Sequence, residues 1–253
     1  MIASSTNTVH IKTQPGNKKL GKLKNWSTPN GGYTDGNGQY FCTCPGASSV
    51  CLNGCYVIQI IKRYNHVLDS QIQTHKLIQY AIKHGADLRL SPTPKSGSTT
   101  RGHVSGDLES SEYVNKLIEM VSHYSDCWFY FYTRSWRVDG MAEALTRLFH
   151  QPNVNLIFST DKDMADPREY TAPNGSRPWE SLKGMKTAYF IADPDDVDYM
   201  TGEELIAFRD NRRTDQRQIY FPNGNKVTVC PKENGNRHNQ KVTCQTCRIC
   251  LYK

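Results

Sequence analysis

The chain has 253 residues, enough for one large α/β domain or two small ones, and 37% of them are hydrophobic, so a core can form. Mean hydropathy is −0.64, no run of about 18 apolar residues occurs, and Met1 to Asn17 holds no apolar stretch; these features exclude a membrane-spanning helix and lead to the expectation of an unexported, cytoplasmic protein. The formal charge of +7 permits a polyanionic partner such as nucleic acid without requiring one.

In chain order, residues 1–40 are rich in Gly, Asn, Thr and Lys, and Gly31-Gly32 and Gly36-Asn37-Gly38 mark turns, so an extended, loop-rich lead-in is expected. Nine cysteines stand at 42, 44, 51, 55, 127, 230, 244, 247 and 250, and eight of them fall in two stretches. Disulfide frameworks belong to small secreted domains, whereas grouped thiols in a reducing compartment are more often metal ligands. Cys44, Cys51 and Cys55 are separated by six and then three residues, in a loop that closes onto a helix start. Three thiolates on a four-iron, four-sulfur (4Fe-4S) cluster leave one iron open for a small ligand. With Cys42 as a fourth ligand the same stretch would make a zinc site, and ligand softness allows either metal.

Tyr56 to His84 has helical spacing of Val57, Ile60, Ile61, Tyr64, Leu68 and Ile72, predicting one long helix or two broken ones that stop at Gly85. Residues 86–90 read as a strand. Residues 102–104 read as a short strand leading into Ser105-Gly106-Asp107. An amphipathic helix is expected from Ser111, its candidate cap, to Tyr124. Further strands are expected over residues 128–132, 154–158 and 187–191, and helices over 141–149 and 201–209. Cys127, just ahead of an apolar strand, reads as a buried thiol. A hairpin over residues 219–229 turns at Asn223-Gly224. Strands alternating with helices imply parallel βαβ units, and about six strands make a partial barrel, since a full eight-stranded barrel takes about 250 residues by itself.

The tail carries the second cysteine group. Cys230 is followed after thirteen residues by Cys244, Cys247 and Cys250, each two residues from the next. That tight run with a distant fourth cysteine in a Cys-Pro step is the arrangement that wraps a ferredoxin cluster, whereas zinc ribbons use two separated C-x2-C pairs.

The blocks Asn17-Lys18-Lys19-Leu20-Gly21, Cys44-Pro45-Gly46-Ala47, Cys51 and Cys55-Tyr56 resemble the phage gene product eighty-eight family. The likeness continues through His103-Val104-Ser105-Gly106-Asp107, Tyr132-Thr133-Arg134-Ser135-Trp136 and the C-terminal cysteines. These phage- and plasmid-borne proteins are similar to radical S-adenosylmethionine (SAM) enzymes. The resemblance implies a partial (βα)6-type radical-SAM-like barrel over residues 41–215, after the lead-in of residues 1–40. A cysteine-rich, cluster-binding extension over residues 216–253 would follow.

The expected function is SAM cleavage at a 4Fe-4S cluster held by Cys44, Cys51 and Cys55, without Cys42. An auxiliary 4Fe-4S cluster would sit on Cys230, Cys244, Cys247 and Cys250. Ser105, Gly106 and Asp107 stand where such barrels carry a turn for the methionine amino group. The same turn would otherwise be an ordinary β-turn before a helix. Arg134 is expected to grip the SAM carboxylate or a substrate phosphate, or else to form a surface ion pair. Ser159 and Asp161, with Asp193 behind them, are further candidates at strand ends. A flavodoxin or ferredoxin would donate electrons, and the substrate stays open. The alternative is a non-enzymatic module stapled by zinc or iron–sulfur, binding nucleic acid.

Overall fold

The computed structural model describes residues 7–209, 217–232 and 241–251. The first six residues of the polar N-terminus, and part of the segment between Cys230 and Cys244, lie outside them.

The central sheet is parallel throughout. It comprises β2 (Lys24–Trp26), β6 (Thr99–Gly102), β7 (Trp128–Thr133), β8 (Val154–Thr160), β9 (Lys186–Ile191) and β10 (Ile206–Arg209), in the order β10-β9-β8-β7-β6-β2. It curls into a half-barrel. A sheet covered on both faces needs apolar residues at successive positions, and β8 is buried at six of its seven positions. Phe129, Phe131, Leu156 and Phe158 face one way, into the main core with Trp26, Trp136 and Trp179. Tyr130, Ile157, Ala188 and Ile206 face the concave side, together with Tyr132 and Phe208.

Helices cover the convex face. α3 (Asn65–His84) stops at Gly85, whose φ of 64° is left-handed and suits a residue without Cβ. The region expected to be one or two helices is two: α2 (Tyr56–Arg63) ends where Tyr64 leaves helical geometry, at φ −139° and ψ 86°. α4 (Ser111–His123) buries Tyr113, Val114, Leu117, Met120 and Val121, a helical stripe. Its cap is Ser110, one residue earlier than expected, whose side chain accepts the Tyr113 N–H. α5 (Ala142–Phe149) buries Ala144, Leu145 and Leu148.

The lead-in is extended, and it is also structured. β1 (Thr8–Lys12) alternates exposed and buried residues and pairs in parallel with β5 (Asp87–Ser91). β2 forms one edge of the main sheet. β3 (Gly32–Thr34) and β4 (Tyr40–Cys42) make a hairpin anchored to α3 by Tyr33 Oη and His75 Nδ1 at 2.9 Å, while His75 Nε2 meets Glu109 at 2.9 Å.

The expected strand at residues 102–104 is displaced: β6 ends at Gly102, and His103 turns the chain with a φ of 54°. The helix expected over residues 201–209 is not formed. Glu204 instead accepts the N–H groups of Thr201 and Gly202 at 2.8 and 3.0 Å, closing a turn with Gly202 at φ 81°. The apolar residues after it enter the sheet as β10, beside β9. The expected hairpin is present as β11 (Gln218–Tyr220) and β12 (Lys226–Thr228). Among the described residues no helix is long and apolar enough to cross a membrane.

Candidate functional site

Loops at the carboxyl ends of parallel strands form the ligand face of an α/β sheet. The first cysteine loop is docked there. Thr43 accepts the Asp107 N–H at 2.8 Å. Gly46 packs so closely on the Arg134 carbonyl, just past β7, that a Cβ would strike it, and a Cβ at Gly54 would lie 2.9 Å from the Phe190 ring of β9. Ser48 caps α1 (Ser49–Asn53) by accepting the Cys51 N–H at 3.0 Å, and its hydroxyl donates to Asp161 at 2.6 Å, just past β8. Tyr56, next to Cys55, donates to the Val104 carbonyl at 2.8 Å.

The loop brings Cys44, Cys51 and Cys55 into one electrostatic field. Burial pushes the Cys44 thiol well above its ordinary range; Asp107, Cys51 and Cys55 add to that, and the Gly31 N–H, 3.2 Å from Cys44 Sγ, opposes it. Burial raises Cys51 too, opposed by Arg134 and reinforced by Cys55, Asp107 and Asp161. Thiols so placed resist ionisation until a cation joins them. Cys42 is exposed on β4, and Cys127 is a buried thiol 3.3 Å from the Lys95 carbonyl, as expected.

The turn at 105–107 lies against this loop. Gly106 has a φ of 76°, and a Cβ there would collide with the Thr28 hydroxyl. The Asp107 carboxylate is buried and held by the protein, accepting the N–H groups of Leu108 at 2.7 Å and Arg134 at 2.8 Å and the Thr133 hydroxyl. Burial raises its pKa and those three bonds pull it back. Ser105 Oγ is buried with no hydrogen-bond partner among the described residues. Arg134 is in an ion pair, but a buried one, with Asp161. Asp161 is fully buried and also lies 3.9 Å from Arg137 Nη2.

Arg137 and Ser48 escaped sequence reasoning. Arg137 lies over the Trp136 ring at 4.8 Å, and its Nε and Nη2 are buried without hydrogen-bond partners among the described residues. Ser159 contributes its carbonyl, which accepts the Trp136 indole N–H at 2.9 Å. Asp193 caps a short turn and faces Lys162 at 3.8 Å, away from the cysteines' field.

The second group lies on the concave face. Cys230, Cys244, Cys247 and Cys250 line one cavity with Arg101 of β6, Tyr130 and Tyr132 of β7, Phe208 of β10, and Lys19, Lys232 and Arg248. Cys244 and Cys247 bound a single helical turn, α6 (Cys244–Cys247), capped by Thr243 and Thr246. The Cys244 N–H donates to the Lys19 carbonyl at 2.8 Å, and Asn155 of β8 donates to the Cys250 carbonyl at 3.0 Å, so the tail is tied both to the lead-in and to the sheet. Burial pushes the Cys250 thiol up to about 11, the Tyr132 hydroxyl bonded to it pulls back, and Cys244 and Cys247 push further.

Two polar atoms test this cavity for an anionic, sulfur-rich occupant. Arg101 Nε is buried without a hydrogen-bond partner among the described residues, and the buried Tyr130 hydroxyl is directed at Cys244; both side chains line the cavity. Four soft thiols, with donors and cations around them, fit an iron–sulfur cluster. Among the described residues no group of three or more His, Cys, Asp or Glu side chains is drawn together around a single metal-ion position.

A family model described as Gene product 88 matches residues 1–253. No curated protein and no solved structure matches the chain.

Proposed function

The chain belongs to the Gene product 88 family, and from that premise we propose that it is a cytoplasmic iron–sulfur enzyme of the radical SAM type, with two 4Fe-4S clusters. The observation that carries this reading is the gathering of Cys44, Cys51 and Cys55 in one field at the carboxyl rim of a parallel half-barrel, beside Arg134, Arg137 and Asp161. In this reading these three cysteines hold the rim cluster, and Cys230, Cys244, Cys247 and Cys250 hold the auxiliary one. A cluster held by Cys44, Cys51 and Cys55 would, with SAM bound, supply the electron for cleavage of the carbon–sulfur bond.

The chain's own residues bind and orient. Asp107 fixes the rim by tying the loop after β6 to the end of β7. Asp161 holds Arg134 and Ser48, and with Ser48 the cap of the cysteine helix. Ser105 Oγ and the Arg137 guanidinium, which has only a long ion pair with Asp161, keep polar atoms without hydrogen bonds, and they suit the ammonium and carboxylate of a methionine moiety. The electron donor is a flavodoxin or ferredoxin, and the substrate stays open in class.

A second reading has one observation behind it. The tail clasps the lead-in through Cys244 and Lys19, and Leu251 packs with Leu20 and Leu23, which suits a stapled binding module, and the net charge of +7 suits nucleic acid as its partner. Anaerobic purification and reconstitution with iron and sulfide separates the two. The enzyme reading expects iron for two four-iron clusters, and stoichiometric zinc with negligible iron would reject it.

A further inference from the structure

The concave wall of the half-barrel supplies the surroundings of the C-terminal cysteines. Arg101 lies over the Tyr132 ring at 5.1 Å and the Tyr130 ring at 5.9 Å, in the cavity that the four cysteines line. The Tyr132 hydroxyl bonds to Cys250. The Tyr130 hydroxyl bonds likewise to Cys244, and Arg101 Nε is buried with no hydrogen-bond partner among the described residues. A cation–π stack accounts for the stacking of these three side chains, but it leaves a guanidinium donor unsatisfied while both phenols are directed at cysteine sulfurs.

We propose that Arg101, Tyr130 and Tyr132 form a donor wall that raises the reduction potential of the cluster held by Cys230, Cys244, Cys247 and Cys250, suiting it to pass electrons. This rests on the iron–sulfur reading above. A cluster with four thiolates is an anion, and reduction adds to its negative charge. Donors to its sulfurs and a buried cation beside it stabilise the reduced form more than the oxidised one. Four cysteine ligands leave no iron open, which fits transfer of electrons rather than binding of substrate at this position.

The test is a redox titration followed by electron paramagnetic resonance, on the anaerobically reconstituted full chain carrying Cys51→Ala so that the C-terminal signal stands alone. Tyr132→Phe and Arg101→Gln are each expected to shift the midpoint to a lower potential at unchanged iron content. Arg101→Lys, which keeps the charge and loses the fork, is expected to shift it less. Tyr130→Phe gives the same readout should either of the first two fail to fold. Unchanged midpoints at unchanged iron content would overturn this inference and leave the iron–sulfur reading standing. Zinc in place of iron at the four cysteines would overturn both.

Discussion

The two cysteine groups use the same ligand and differ in what surrounds it. At the rim, three thiols share their field with Arg134, Asp107 and Asp161, and Ser105 Oγ and Arg137 have polar atoms left unpartnered. On the concave face, four thiols are packed among Tyr132, Ile157, Ala188, Phe208 and Leu251, and one guanidinium stacks on the wall. The rim has one thiolate fewer than a closed site needs and polar groups to spare. The interior has its full set, held between apolar side chains and a wall of Arg101, Tyr130 and Tyr132. Under the proposed function, ligand count and neighbourhood together would separate a site that receives a small molecule from one that excludes it.

The largest break in this comparison comes from removing one rim thiol. Cys51→Ala is expected to lose the rim cluster and about half of the protein's iron, while the C-terminal cluster stays, because the first group sits at the carboxyl rim and the second on the concave face. Elemental analysis of the reconstituted variant checks it.

Next in size is Asp161→Asn. Asp161 is fully buried, pairs with Arg134 and accepts from Ser48, so the substitution leaves a guanidinium uncompensated where water is scarce. A loss of about 3–5 kcal/mol is expected in denaturant unfolding, in the range for breaking one partner of a buried pair. An equal loss on Lys162→Ala, whose partners Asp193 and Asp196 lie away from the cysteines, would show that the rim pair has no special weight.

A smaller effect concerns His103, which follows β6 and precedes the turn at 105–107. Burial pulls its pKa down to about 3, and it sits 2.8 Å from the Tyr113 hydroxyl. The folded state therefore keeps His103 neutral while the unfolded chain takes up its proton near pH 6.5. Stability from this group is present above pH 6.5 and is lost as the pH falls from there toward 3, at a slope of up to about 1.4 kcal/mol per pH unit. His103→Gln should flatten that part of the stability profile, and an unchanged slope would mean that other groups set it.

The smallest expected effect is none. Cys42→Ala should leave both clusters assembled, because Cys42 is exposed on β4 and apart from the field that joins the other three. Loss of the rim cluster on that substitution would restore the four-cysteine zinc-type arrangement.

Much of the frame was legible because it is local. Alternating strands and helices marked the parallel sheet, and β7, β8 and β9 fall within a residue or two of their expected bounds. Asp107, Arg134 and Asp161 could be placed at the rim because each follows a strand or its short turn. Their partners could not. The Arg134–Asp161 pair and the Ser48–Asp161 bond join positions 27 and 113 residues apart, and no local pattern records them. Arg137 carried a faint signal in its neighbour Trp136, on which it stacks, but nothing in the spacing chose it over Arg134. β10 was hidden by two glutamates that suit a helix, until Glu204 turned back onto the Thr201 and Gly202 amides. The position of the tail on the concave face is a wholly non-local fact, set by contacts such as Asn155 with Cys250.

In the proposed function the rim group holds a cluster with an iron open to SAM. Titration of SAM into anaerobically reconstituted, dithionite-reduced protein, followed by electron paramagnetic resonance and by assay for 5′-deoxyadenosine, tests it most directly. The account predicts a change in the spectrum of the reduced cluster and formation of the cleavage product, both abolished by Cys51→Ala. An unchanged spectrum with no product from fully iron-loaded protein would contradict it.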